Sequence, residues 1–312
     1  MLDELFQRFR RRDRNALARL LSLVAQGERV AEILGGVGAP AKPARVVALT
    51  GGGGVGKSTL AGKLVEQARA HGSTVSVLAC DPQSPLTGGA LLGDRFRMPT
   101  RPDDDGVFIR SLAAAGGRGA VAERLGPLIC LCEAFGFDVI LVETVGAGQG
   151  DTAVRALVDV LVLLLQPETG DDLQWEKAGL LEVADLVVIH KADMPGAERV
   201  EAQVLTTLAL SPLAAVPVLR VSARTGAGVE ALWSAIALLP LRRGAGDAGA
   251  DLLRLAQETL AARFAAAWAD KDAALQELLL RLRSGDLAPA QAVEALLRLI
   301  DRRGLEKREG KF

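Results

Sequence analysis

Three cysteines in 312 residues, with no paired spacing, give no disulfide framework and point to a reducing compartment. Charge of one sign is not in excess either. With 37 Lys and Arg against 38 Asp and Glu, no global field favours nucleic acid or an anionic membrane. No uninterrupted apolar run approaches the roughly 20 residues that a spanning helix needs. Met1–Arg10 lacks the apolar core of a signal peptide. The expectation is a soluble, cytoplasmic protein with neither nucleic acid nor membrane as partner. Histidine is scarce, and His71 and His190 lie far in sequence from Cys130-x-Cys132. In the helical-looking stretch Leu125–Ala134, positions i and i+2 point to different faces. Cys130 and Cys132 are therefore expected to be buried structural cysteines, which leaves a metal-insertion function without ligands.

Apolar side chains are plentiful, at 49% of the chain, so a sizeable core is available. The length suits one large α/β domain with appendages, or two domains. Residues 1–42 have helical periodicity, with one stripe at Leu2, Leu5, Phe6 and Phe9 and another at Leu17, Leu20, Leu21 and Val24. The arginines among them, Arg8, Arg10, Arg11, Arg12 and Arg14, have no interleaved aromatics beyond Phe9 and are expected to form a solvated helix face. Gly35–Pro43 has the composition of a linker. Residues 43–240 alternate short apolar runs with helical stretches, and residues 241–312 form a C-terminal helical arm. Leu253, Leu260, Phe264 and Trp268 mark its first helix; Leu275, Leu278, Leu279 and Leu282 mark the second. Pro289 opens a third, carrying Val293, Leu296, Leu297 and Ile300. An arm this apolar needs a surface to pack on, either its own nucleotide domain or a second copy of the chain.

The stretch from Val46 to Thr59 organises the rest. A strand-like run, Val46–Leu49, meets Gly51-x-x-x-x-Gly56-Lys57-Ser58, and a helical pattern follows through Leu60, Leu64 and Ala68. Strand, glycine loop and helix in that order are the context of a phosphate-binding P-loop. Gly51, Gly53, Gly54, Val55 and Gly56 let the backbone curl around an anion with its N–H groups inward, and Thr59 continues the helix start whose dipole adds positive potential. Lys57 can reach the β- and γ-phosphates, and the Ser58 hydroxyl can hold Mg²⁺.

The remaining runs are Val75–Cys80, Val107–Ile109, Val139–Val142, Val160–Leu165, Leu186–Ile189 and Val218–Val221. Being nearly all apolar, they predict a mostly parallel sheet covered by helices on both faces, the α/β architecture of a P-loop NTPase. Ligand chemistry in such sheets gathers at the carboxyl ends of the strands, and polar residues follow the runs there. Asp81 and Glu143 can hold Mg²⁺ directly or through its waters. Gly146 can bring its N–H to the γ-phosphate. Lys191 and Asp193 fit a base pocket: the lysine stem lies along the purine, and the carboxylate accepts two N–H bonds from a guanine edge that adenine lacks. Ser222-Ala223 closes the same pocket with a backbone N–H. The nucleotide is therefore expected to be GTP and GDP.

These blocks also resemble the MeaB/ArgK/MMAA-type GTPases. The resemblance is carried by Gly51–Ser58, Asp81-Pro82-x-Ser84, the Thr87-Gly88-Gly89 to Gly93-Asp94 stretch, Glu143-Thr144-Val145-Gly146-x-Gly148-Gln149 and Gly170-Asp171-x-Leu173-Gln174. It implies a homodimeric GTPase chaperone that gates adenosylcobalamin loading and protects or reactivates a cobalamin-dependent acyl-CoA mutase. The client would be methylmalonyl-CoA mutase or a relative such as an isobutyryl- or 2-hydroxyisobutyryl-CoA mutase. Ser58, Asp81, Asp94 and Glu143 match the metal surroundings, and Arg97 matches an arginine that stabilises phosphate charge. Lys177 falls in a segment that couples the partner to hydrolysis. Two departures stand out. His190 replaces the Asn of the Asn-Lys-x-Asp base motif, which removes an amide able both to donate and to accept, and Gln83 replaces a serine. Gln149, the candidate for positioning the attacking water, lies three residues beyond Gly146. ArgK-type sequences have also been read as kinases of a transport-binding protein; a kinase needs an acceptor pocket and a base, and no segment is dedicated to either.

Overall fold

In the computed structural model the described residues are 2–82, 104–114, 122–144, 154–167, 178–209, 216–243, 256, 260, 261, 264, 267, 268 and 271–309. The seven apolar runs form seven strands: β1 (Arg45–Gly51), β2 (Val75–Pro82), β3 (Val107–Ala114), β4 (Val139–Glu143), β5 (Val160–Leu165), β6 (Leu186–His190) and β7 (Val218–Val221). They make one sheet in the order β3-β2-β4-β1-β5-β6-β7, with every pairing parallel. The sheet is that of a P-loop NTPase. β3 runs five residues past the apolar stretch that announced it. Arg110 and Ser111 interrupt that stretch, and β3 tolerates them because it is an edge strand; the Arg110 guanidinium bonds Ser22 Oγ at 2.9 Å.

Alternation along the strands supplies both faces of the sheet. Val46 and Ala48 face one core with Leu78, Ile140, Val142 and Leu161. That side is covered by α1 (Leu2–Arg10), α2 (Arg14–Gln26), α3 (Val30–Val37) and α5 (Ala122–Phe135). Val47 and Leu49 face the other, under α4 (Lys57–Ala70) and α8 (Val229–Leu238). A third cluster joins β5 and β6 to α6 (Ala178–Val183) and α7 (Ala197–Ala209). The stripe Leu17, Leu20, Leu21 and Val24 is wholly buried, each side chain contributing about 1.5–3 kcal/mol on transfer from water. The N-terminal helices therefore share a core with the sheet.

Two expectations for this region change. α3 continues through Gly35 and Gly36 to Val37, so the linker begins later than composition suggested. A Cβ at Gly36 would lie 2.4 Å from the Phe6 ring, so the glycine permits close helix packing. The arginine run is also not simply a solvated face. Arg12 lies over the Phe135 ring and Arg14 over Phe108, at 5.6 and 5.7 Å from the centroids. Arg8 pairs with Asp13 at 2.8 Å, and Arg10 donates to the Gly36 carbonyl. Asp13 in turn caps α2, accepting from the Asn15 and Ala16 N–H groups.

The amino edge of the sheet is closed by buried ions. Asp159, 1% exposed, accepts from the Val46, Arg242 and Arg243 backbone N–H groups, each at 2.9 Å, and from the Arg243 guanidinium at 3.2 Å. Arg243 also reaches the Ala44 carbonyl and Glu133. Next to this cluster, Asp185 accepts from the Leu161 N–H and pairs with Arg155 and Arg242. Burial pushes its carboxyl above the usual range.

The chain divides into two compact units, residues 1–245 and 246–312. In the second, α9 (Ala273–Ser284) is capped by Asp272, and Pro289 opens α10 (Pro289–Glu309), which packs on α9. Trp268, Leu280, Val293 and Leu297 are exposed there. Among the described residues no helix is long and apolar enough to cross a membrane.

Candidate active site

β1 lies between β4 and β5, where the chain, having gone out to β3 on one side, returns and continues on the other. This is the switch point of the sheet, and it brings the carboxyl ends of β1 and β4 side by side. Leu49 pairs with Glu143, and the Thr144 N–H donates to the Leu49 carbonyl at 3.1 Å. From there the chain turns through residues 52–56 into α4. Gly51, Gly54 and Gly56 have φ of 147°, 72° and 97°, backbone that other residues rarely adopt. At Gly51 a Cβ would sit 2.4 Å from the Leu164 carbonyl oxygen, so the loop start needs glycine on both counts.

Lys57 and Ser58 occupy the first turn of α4, and both are buried. The Lys57 ammonium donates to the Gly51 and Gly52 carbonyls at 2.9 and 3.1 Å, which folds it back over the loop. The Ser58 hydroxyl donates to Glu143 Oε1 at 2.6 Å. A hydroxyl and a carboxylate from two elements thus meet, oxygen donors of the kind a hard cation takes, beside a helix N-terminus that favours an anion such as phosphate. Gly53, Gly54 and Thr59 are exposed around them, while Val55 is buried. Asp81 is the seventh residue of β2, in register with Ala113 and two residues beyond the Ala79–Glu143 pair. Asp94, Arg97, Gly146, Gln149 and Lys177 lie outside the described residues, as do Gln83 and the Thr87–Gly93 stretch.

The second half of the site stands at the ends of β6 and β7. Asp193 accepts from Ser222 Oγ and pairs with Arg224, and these partners hold its carboxyl below the usual range, the Ser222 bond foremost. Lys191, with φ of 56°, donates to Gln166 Oε1 at 2.7 Å. The Asp193–Ser222 bond joins the two segments, with Lys191 two residues before Asp193 and Ala223 directly after Ser222. The structure adds Gln166 and Arg224, for which no motif gave a role.

His190 corrects one argument. Its ring, 3% exposed, lies against the P-loop: Nδ1 is 2.7 Å from the Val55 carbonyl oxygen, and the Ala223 N–H donates to Nε2 at 3.4 Å. The carbonyl can only accept and the N–H can only donate, so the ring is neutral with its proton on Nδ1. Replacing an amide by imidazole has not removed the capacity both to donate and to accept.

The cysteines divide. Cys132 is buried, accepts from Ser76 Oγ, and burial pushes its thiol up to about 12, whereas Cys130 is exposed, against expectation. Both are on α5, and Cys130 needs no burial because i and i+2 diverge around a helix. Among the described residues no three His, Cys, Asp or Glu side chains cluster as a metal site.

Comparison with known proteins fits this geometry. The family model described as methylmalonyl Co-A mutase-associated GTPase MeaB matches residues 17–262. A putative GTPase of Pyrococcus abyssi is 43% identical over 247 residues, covering 76% of this chain and 75% of that protein. A probable GTPase of Mycobacterium tuberculosis is 35% identical over 321 residues, covering 96% and 95%. Among solved structures, the crystal structure of LAO/AO transport system kinase matches with a TM-score of 0.65 at 27% identity, covering 96% of this chain and 97% of that one. The chain belongs to the MeaB family and is a GTPase that binds GTP and GDP.

Proposed function

We propose that this GTPase gates adenosylcobalamin loading into a cobalamin-dependent acyl-CoA mutase, and that it protects or reactivates that mutase. The client is methylmalonyl-CoA mutase or a close relative. The observation that carries this reading is the family match over residues 17–262, whose description is a mutase-associated GTPase. In the proposed cycle Lys57 and the N–H groups of Gly51–Thr59 bind the phosphates, and Gly146 senses the γ-phosphate. Lys191, Asp193, Ser222 and Ala223 take the guanine, with His190 behind them. The Ser58–Glu143 pair, 2.6 Å apart, offers the hard oxygen donors that suit Mg²⁺, with Asp81 and Asp94 completing its surroundings. Mg²⁺ bound there would neutralise charge on the β- and γ-oxygens. Arg97 supplies positive charge to the transition state, Lys177 adds to it only when the mutase is bound, and Gln149 orients the water.

The proposed division of labour is a nucleotide domain at 43–240, an N-terminal helical extension at 1–42 and a dimerising arm at 241–312. Exposed Trp268, Leu280, Val293 and Leu297 support a second copy as the arm's partner. The work is proposed to be cytoplasmic. Size-exclusion chromatography with a purified adenosylcobalamin-dependent acyl-CoA mutase tests the partnership. Co-elution that changes between GDP and a non-hydrolysable GTP analogue is expected; independent elution with every nucleotide contradicts it. A second reading, phosphorylation of a transport-binding protein, is favoured by the likeness to LAO/AO transport system kinase. It predicts labelled protein product from γ-labelled GTP, where the GTPase reading predicts only free phosphate.

A further inference from the structure

One buried side chain holds together two loops that a nucleotide would otherwise have to bridge. His190 ends β6. It faces Val55 and Gly56 of the P-loop on one side and Ala223 of the loop after β7 on the other. The fit is tight: a Cβ at Gly56 would lie 2.6 Å from Cε1 and 2.7 Å from Nδ1 of the ring. Ala223 follows Ser222, the residue that donates to the Asp193 carboxylate. Whatever holds Ala223 therefore also holds the partner of the proposed base reader. A carboxamide on an Asn ends at its δ atoms, whereas imidazole carries a second nitrogen one bond further out, which is the one Ala223 uses.

We propose that His190 is a positioning residue whose neutral ring clamps the P-loop to the base loop through both nitrogens, and that taking up a proton releases the base loop and weakens guanine-nucleotide binding. The chemistry is simple. A protonated ring still donates from Nδ1 to the Val55 carbonyl. At Nε2 it presents N–H to the Ala223 N–H, donor against donor, and that bond is lost. Among the described residues the charged groups beside the ring's contacts in the chain are Lys191 and Asp193 on its own segment, Lys57 after Gly56 and Arg224 after Ala223, with Lys63, Glu66 and Arg69 further along α4. Burial, more than any of these, holds the ring's pKa below its ordinary 6.5, with Lys191 acting the same way and the Val55 bond and Asp193 opposing. A depressed folded value means that the clamp's stability is fully present above the unfolded pKa, and is lost as pH falls through the folded one.

The proposal rests on the nucleotide lying at this P-loop with its base against Asp193, and the experiment separates the two. Fluorescent GDP is titrated between pH 8 and pH 5 against the full-length wild type, His190→Asn and His190→Gln, with Lys57→Ala as control. The wild type should lose affinity by up to about tenfold per pH unit below the ring's pKa. His190→Asn, which cannot titrate, should show only the shallower slope of the nucleotide's own phosphate. With only two histidines in the chain, ¹⁵N NMR of the wild type gives a second readout that needs no variant. His190 should carry its proton on Nδ1 at neutral pH, and should titrate where affinity falls. Superimposable pH profiles for wild type and His190→Asn, or an Nε2–H tautomer, overturn the clamp while leaving the site intact. A wild type that binds GDP no better than Lys57→Ala at any pH overturns the site reading itself.

Discussion

The two ends of one sheet are built by different means. At the carboxyl edge, β1, β4, β5, β6 and β7 end in loops joined by side-chain bonds between different segments: Ser58 to Glu143, Lys191 to Gln166, His190 to Val55 and Ala223. Glycines at positive φ turn the chain there. At the amino edge Asp159 alone gathers three backbone N–H groups and a guanidinium, and Arg243 spans Ala44, Glu133 and Asp159. The difference shows where each kind of residue contributes. A loop that must admit and release a nucleotide is joined to its neighbours by bonds that can exchange. The opposite edge has nothing to release, and can hold its strands and the start of the C-terminal segment with buried, multiply bonded charge.

Substitutions at the two edges should therefore fail in different ways. The largest effect on chemistry is expected from Lys57→Ala, which should abolish GTP hydrolysis and weaken nucleotide binding by about 1.5–3 kcal/mol for the lost charge-assisted contact. Because Lys57 also bonds two P-loop carbonyls, the urea midpoint should fall slightly, by about 1 kcal/mol of stability. Unchanged turnover would break the contrast at its first point. Asp159→Ala should do the opposite. It leaves three backbone N–H groups unpaired and takes from Arg243 one of its two carboxylate partners, Glu133 remaining, and should cost about 3–5 kcal/mol in equilibrium unfolding, while folded protein still turns over GTP at the wild-type rate. A normal unfolding midpoint would mean that the amino-edge cluster contributes no net stability.

Asp193→Asn should leave the fold alone and relax the choice of base. An amide presents a donor where guanine also donates, but it satisfies the carbonyl that xanthine has in place of the exocyclic amine. The preference for GTP over xanthosine triphosphate should drop about tenfold or more. A mutant that still strongly prefers GTP would remove Asp193 from the base pocket. Smaller still, Lys177→Ala should keep GTP affinity and basal turnover near wild type and lose only stimulation by the mutase; stimulation as strong as the wild type's would take Lys177 out of the coupling.

The same contrast explains what could be read from the chain beforehand. Parallel strands covered on both faces must be continuously apolar, so Val160–Leu165 and Leu186–Ile189 declared themselves. The edge strand β3, with Arg110 and Ser111 facing a different environment, showed only its first three residues. The P-loop was legible because its chemistry is local: glycines, Lys57 and Ser58 within eight positions. Bonds between loops far apart in the chain were not. Nothing in the spacing of Val55, His190 and Ala223 says that one ring joins them, and nothing in Arg224 or Gln166 marks them as partners of Asp193 and Lys191. Arg12 and Arg14 likewise looked solvated until Phe135 and Phe108, over a hundred and over ninety residues on, came under them. Composition places the linker too early because Gly35 and Gly36 weaken a helix on their own, and only contact with Phe6 shows why α3 keeps Gly36.

Phosphate release from GTP, followed with the purified protein alone and then with an adenosylcobalamin-dependent acyl-CoA mutase added, tests the central claim most directly. Slow basal release that the mutase accelerates, with all label appearing as free phosphate, is the predicted result. A rate indifferent to the mutase, or label transferred to a protein acceptor, would contradict it.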